Sequence, residues 1–150
     1  MTLATLLTAA MHLAGAHTGP AVHAAHHAVD AYRAEYPATR LDADLLVAVG
    51  IVESRLQPAE AGRGVGQWQV IPWARQPLWR RTRPTRQQLR DVNVNALWGA
   101  KILGGCLRMR ASVDAALTCY NGGATKGYDK SVQRTLRTLR QIAKRQEVRS

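Results

Sequence analysis

The chain has 150 residues, 46% of them hydrophobic, and carries a formal net charge of +11. That length and apolar content suit one globular domain with a real core, and they exclude a disordered tail or a fibrous repeat. The charge is unevenly spread, with three Lys or Arg against six Asp or Glu in residues 1–60 and eighteen against four in residues 61–150. An acidic front and a basic back point to a polyanion as a partner, whether wall polymer, nucleic acid or anionic lipid.

The first run, Met1 to Ala16, is rich in Ala and Leu and ends Ala14-Gly15-Ala16, which imitates a signal-peptidase site. No Lys or Arg precedes it and His12 interrupts it, so a first helix of the domain is the better reading. It is too short to span a bilayer. His17, His23, His26 and His27 follow, and Gly19-Pro20 predicts a helix from about Ala21 to Glu35. His23 and His27 then stand one turn apart, a spacing that suits zinc, yet two histidines are an incomplete set and a polar helix face is the simpler account. No metal, nucleotide or other cofactor is expected.

The stretch LDADLLVAVGIVESRLQPAEAGRGVGQWQVIP, Leu41 to Pro72, carries most of the chemistry. It predicts a largely apolar helix from Asp44 to about Arg55, with Asp42 and Asp44 at its N-terminus. Leu45, Leu46, Val49 and Val52 recur at helical spacing and face a core. Glu53 is a lone acid near the end of that helix. Among apolar neighbours its carboxyl resists ionising, which suits a general acid. The other reading is a surface acid paired with Arg55 or another arginine. From Trp73 to Arg90 the chain is dense in Arg, Pro and Trp and predicts a loop or short broken helices. Such a mixture suits a sugar cleft, a nucleic-acid surface or a solvated loop.

A helix is predicted from Asn93 to Met109, capped by Asp91 or Asn93, with Leu97, Ala100, Leu103 and Leu107 on one buried stripe. A second runs from Ser112 to Tyr120, capped by Ser112 and ended by Asn121-Gly122-Gly123. Cys106 and Cys119 lie on these successive helices, and either a disulfide or two buried thiols fits. Neither cysteine sits in a nucleophilic or metal-binding pattern. Ser131 to Ser150 predicts a basic amphipathic helix whose apolar stripe is Val132, Leu136, Leu139 and Ala143. It reads as a docking helix, or as an attachment to wall polymer, DNA or a partner. The expected division is an N-terminal helical segment over 1–40, a core over 41–130 and the basic helix over 131–150.

The order Glu53-Ser54, then Gly64-Val65-Gly66-Gln67, then Asn95, Gly99 and Leu103, then Tyr120-Asn121-Gly122-Gly123 resembles the lytic transglycosylase family of the lysozyme-like superfamily. The family pattern is Glu-Ser, a Gly-Leu-Met-Gln block ending near a proline, Asn-x-x-x-Gly-x-x-x-Leu, and Ala-Tyr-Asn-x-Gly. In this register Gly66 stands for the Met, Trp68-Gln69-Val70 replaces the apolar residue, Met and Pro that follow, and Pro72 arrives two residues late. Cys119 stands where Ala is common. The resemblance implies a mainly α, compact lysozyme-like domain with a catalytic cleft and little or no β. It implies cleavage of peptidoglycan strands between N-acetylmuramic acid and N-acetylglucosamine, leaving an anhydro sugar, with Glu53 as the catalytic acid. Ser54, Gln67, Trp68, Gln69, Tyr120 and Asn121 become the substrate-binding candidates. Tyr120 is expected to orient Glu53, Gln67 to bind sugar and Trp68 to stack on it. Glu60 and Asp91 are the candidates for a second acid, and no motif supports either. The setting expected is the cell wall, with a phage particle or a secretion or injection machine as the route there. A water-using goose-type lysozyme, a non-catalytic structural part of such an assembly, and a nucleic-acid module are the rivals. No helix shows a DNA-reading motif, which ranks the last lowest.

Overall fold

A computed structural model describes residues 1–72 and 84–149. Residues 73–83, most of the Arg- and Trp-rich stretch read as a loop or short broken helices, lie outside the described residues; its remainder, to Arg90, holds one short helix, Arg86–Leu89. Among the described residues the chain is mainly α. The order is α1 (Leu3–Ala14), a 3-10 turn (Ala16–Thr18), α2 (Gly19–Glu35), α3 (Ala43–Ser54), β1 (Glu60–Ala61), β2 (Gly64–Val65), α4 (Arg86–Leu89), α5 (Val92–Met109), α6 (Val113–Asn121) and α7 (Tyr128–Arg149).

Helix ends follow local chemistry closely. Asp91 accepts from the amides of Asn93 and Val94, Ser112 from that of Ala115, and Thr85 and Gln88 make a reciprocal capping box on α4. Gly122, at φ 68°, ends α6 in the left-handed region. The acids before α3 behave differently from a simple cap. Asp42 holds the cap position without a side-chain bond, whereas Asp44 accepts from the Leu45 amide and, at 2.7 Å, from Arg140 Nε of α7.

α3 is apolar around nearly its whole circumference, the mark of a helix enclosed by others. Asp44 through Gly50 are all buried in it, and it packs against α7, α2 and α5. α1 lies on α7 and α2, burying Leu6, Ala9, Ala10 and Ala14. The Met1–Ala16 run is thus a packed helix of the core. α7 buries the expected stripe of Val132, Leu136, Leu139 and Ala143, together with Tyr128 at its start. One core cluster draws residues from α1, α2, α3, α5, α6 and α7. α5 departs from the expected single stripe: Leu97 is only partly buried, while Asn95, Ala96, Gly99 and Ile102 are buried. Its position between α2 and α6 encloses it on more than one side.

Cys106 and Cys119 are joined as a disulfide between α5 and α6, which settles the alternative left open by their spacing. Closing a loop of this length stabilises by roughly 3 kcal/mol, and the bond fits an oxidising compartment. Among the described residues no helix is long and apolar enough to cross a membrane. No group of three or more potential ligands stands ready for a metal among them either. His23 and His27 are exposed, while His26 pairs with Asp30 and His17 bonds the Arg55 carbonyl.

Candidate active site

α3 ends where the chain reverses. Arg55 and Leu56 both take left-handed backbone, at φ 56° and 59°, and return their amides to Ile51 and Gly50. This leaves Glu53 in the last turn, half-buried, beside a cavity of about 250 Å³. The β1–β2 hairpin, the end of α6 and the α6–α7 connection form the walls, through residues that include Arg63, Gln69, Tyr120, Asn121 and Ala124. Glu53 is the one carboxylate among the described residues of that lining.

Burial pushes the Glu53 carboxyl above its ordinary range, and a hydrogen bond that favours the carboxylate offsets part of the rise. The donor is Tyr128, whose hydroxyl reaches Glu53 Oε1 at 2.7 Å. Among the described residues no arginine pairs with Glu53, and Arg55 reaches back to the Leu13 carbonyl instead. Tyr120, expected to orient Glu53, lines the same cavity but donates its hydroxyl to the Trp68 carbonyl at 2.7 Å. Burial and the nearby Glu53 charge raise the pKa of both phenols, so both stay neutral donors. Tyr128 carries no motif signal of its own. Only its place at the start of an amphipathic helix, directly after the glycine turn, marks it.

The other acids are committed elsewhere. Glu60 is held by Arg86 at 3.1 Å and Arg90 at 2.6 Å, and these partners keep its carboxyl below the usual range. Asp91 caps α5. Neither lines the cavity.

The loop from Gly66 to Val70 decides which glutamine matters. Gly66, at φ 77°, approaches Asn95 so closely that a Cβ would collide with its side-chain amide. Asn95 is fully buried; its Nδ2 donates to the Val65 and Leu89 carbonyls and its Oδ1 accepts from the Trp68 amide. Trp68 is therefore clamped on both sides of its backbone, by Asn95 and by Tyr120. Its indole is buried as well, 0% exposed, with Nε1 donating to the Leu46 carbonyl at 2.8 Å. This overturns the expectation that Trp68 stacks on sugar, because a ring packed against Gly50 and Gly99 offers no face to a ligand.

Gln67 likewise turns inward. It is 6% exposed and does not line the cavity, and its carbonyl accepts from Ser54 Oγ at 2.7 Å. Gln69 is the glutamine at the cavity, held in left-handed backbone at φ 47°. Its amide nitrogen donates to the carbonyls of Ala59 and Gly66, both at 2.8 Å. A non-glycine residue in that region is strained, and the strain is borne where the cavity needs it. The glutamine at the cavity is thus two residues later than the one the sequence register pointed to.

A mainly α chain with one desolvated carboxyl at the end of its enclosed helix, facing a cleft walled by a short hairpin, defines the lysozyme-like class of glycan-cleaving folds. The chain belongs to the transglycosylase SLT domain family, whose model matches residues 31–141. Comparisons with curated proteins and with solved structures give no match. Membership makes lytic transglycosylase the activity class and peptidoglycan the substrate class, with action outside the cytoplasm.

Proposed function

We propose that this protein cleaves the bond between N-acetylmuramic acid and N-acetylglucosamine with Glu53 as its single acid and base. The observation that carries the reading is the pairing of a desolvated carboxyl with a neutral phenol donor, beside a cavity whose described lining holds no second carboxylate. Glu53 starts protonated and gives its proton to the bridging oxygen as the bond to the anomeric carbon breaks. The acetamido group of the muramic acid stabilises the cation. The Glu53 carboxylate then takes the proton of the C6 hydroxyl, whose oxygen closes on the anomeric carbon. No water is consumed, and the acid is restored.

Tyr128 positions Glu53 and favours its charged form midway through the cycle. Gln69, Tyr120 and Asn121 bind the glycan from the opposite walls. Ser54 and Trp68 act indirectly, by holding the loop that presents Gln69. Gln67 belongs with them. The wall-directed setting and the disulfide agree with an extracytoplasmic site of action. Local opening of the wall for a phage particle or a secretion machine is the occasion we attach to it.

Muropeptide analysis of digested sacculi tests the reading. Anhydro ends are expected from the native protein, and Glu53→Gln should lower the rate about a thousandfold or more. Reducing ends would mean that water is the acceptor. Full activity of Glu53→Gln would remove Glu53 from the chemistry.

A further inference from the structure

The cleft holds a cation that the chemistry above leaves unused. Arg63 occupies the turn between β1 and β2 and lines the same cavity as Glu53. It is exposed, and among the described residues its side chain makes no hydrogen bond or ion pair. Its nearest acid along the chain, Glu60, is already claimed by Arg86 and Arg90. Arg86 also donates to the Gly62 carbonyl, so the turn that carries Arg63 is braced from α4. With Glu53 protonated at rest, the described lining carries a net positive charge.

A planar guanidinium offers paired donors that match a carboxylate. Building on the function proposed above, we propose that Arg63 is an anion subsite that takes a carboxylate of the peptide carried by the muramic acid.

The chemistry of ring closure selects this ligand. An anionic substituent on the C6 oxygen, such as a phosphodiester-linked polymer, would block the hydroxyl that must attack. The peptide leaves from the opposite side of the sugar, through the lactyl ether, and keeps C6 free. Arg63 thus makes the protein prefer strands whose peptides carry a free carboxylate.

The test compares kcat/KM on intact sacculi with kcat/KM on sacculi whose peptide carboxylates have been amidated with a carbodiimide and excess ammonia, which removes the anions and leaves the lactyl amide in place. The native protein should favour the unmodified, carboxylate-bearing substrate by a factor of about three to five, the effect of one exposed ion pair. In Arg63→Ala the ratio should fall to about one, in Arg63→Lys it should recover in part, and in Arg63→Glu it should invert. The substitutions fall on an exposed turn, so folding is not at issue, and a thermal melt checks this. A ratio near one in the native protein, or an unchanged ratio in Arg63→Ala, overturns the proposal. Full activity of Glu53→Gln alongside a collapsed ratio in Arg63→Ala would instead leave the subsite standing and refute the acid assignment.

Discussion

Replacing Tyr128 by Phe removes one oxygen from the molecule and leaves the ring where it is, 5% exposed in the core. What is lost is the 2.7 Å bond to Glu53 Oε1. A bond between a neutral donor and a carboxylate contributes roughly 1.5–3 kcal/mol. In the proposed cycle the carboxylate exists only after the first proton transfer, so the loss falls on the part of that cycle where Glu53 is charged. At about 1.4 kcal/mol per factor of ten, kcat should fall roughly ten- to a hundredfold. The pH profile carries a second, independent signature. Glu53 must begin protonated, so kcat/KM falls as pH rises through its folded pKa. The Tyr128 bond lowers that pKa against the upward push of burial. Without the hydroxyl the pKa rises, and the alkaline limb of the profile must move to higher pH. A pH series of sacculus digestion by the native protein and by the Tyr128→Phe variant reads both effects. A limb that stays in place, or moves to lower pH, would show that Tyr128 does not act through Glu53.

Glu53→Gln should also melt higher than the native protein, with a gap that widens as pH rises from the acidic range to neutrality. The raised folded pKa of Glu53 means that the protonated acid is tolerated at low pH, and that stability is lost as pH rises through that pKa. Glutamine never ionises and keeps an acceptor for Tyr128; thermal melts across the pH range check the sign. Asn95→Ala should destabilise by about 3 kcal/mol or more, since it strands two carbonyls and an amide in the core, and a urea titration measures it. Trp68→Ala should lower stability by roughly 3–5 kcal/mol, and a milder Trp68→Phe should leave KM for glycan strands unchanged. A raised KM in a well-folded Trp68→Phe would restore the ring to the substrate site.

Much of this architecture is legible along the chain. The capped starts of α5 and α6, the glycine end of α6 and the buried stripe of α7 all rest on interactions within a few residues, which a linear pattern carries. The isolation of Glu53 on an apolar helix is visible for the same reason, and so is the raised pKa that burial brings. The glutamine at the cleft is not legible, because the loop from Gly66 to Gln69 takes left-handed backbone at both ends. Such turns redirect side chains without any periodic signature, so helical or strand spacing does not separate Gln67 from Gln69, and the late Pro72 is the one linear hint. Trp68 is ambiguous in the same way: an indole suits a sugar face or a core equally, and the space left by Gly50 and Gly99 decides for the core.

What the chain alone determined was its helices, most of their caps and the isolation of Glu53 on an apolar helix. Tertiary structure decided which phenol serves that acid. Tyr128 lies 75 residues beyond Glu53, and the choice between it and Tyr120 depends on how α7 docks against α3. Periodicity reports which face of a helix is apolar; it holds no information on which distant atom that face will meet.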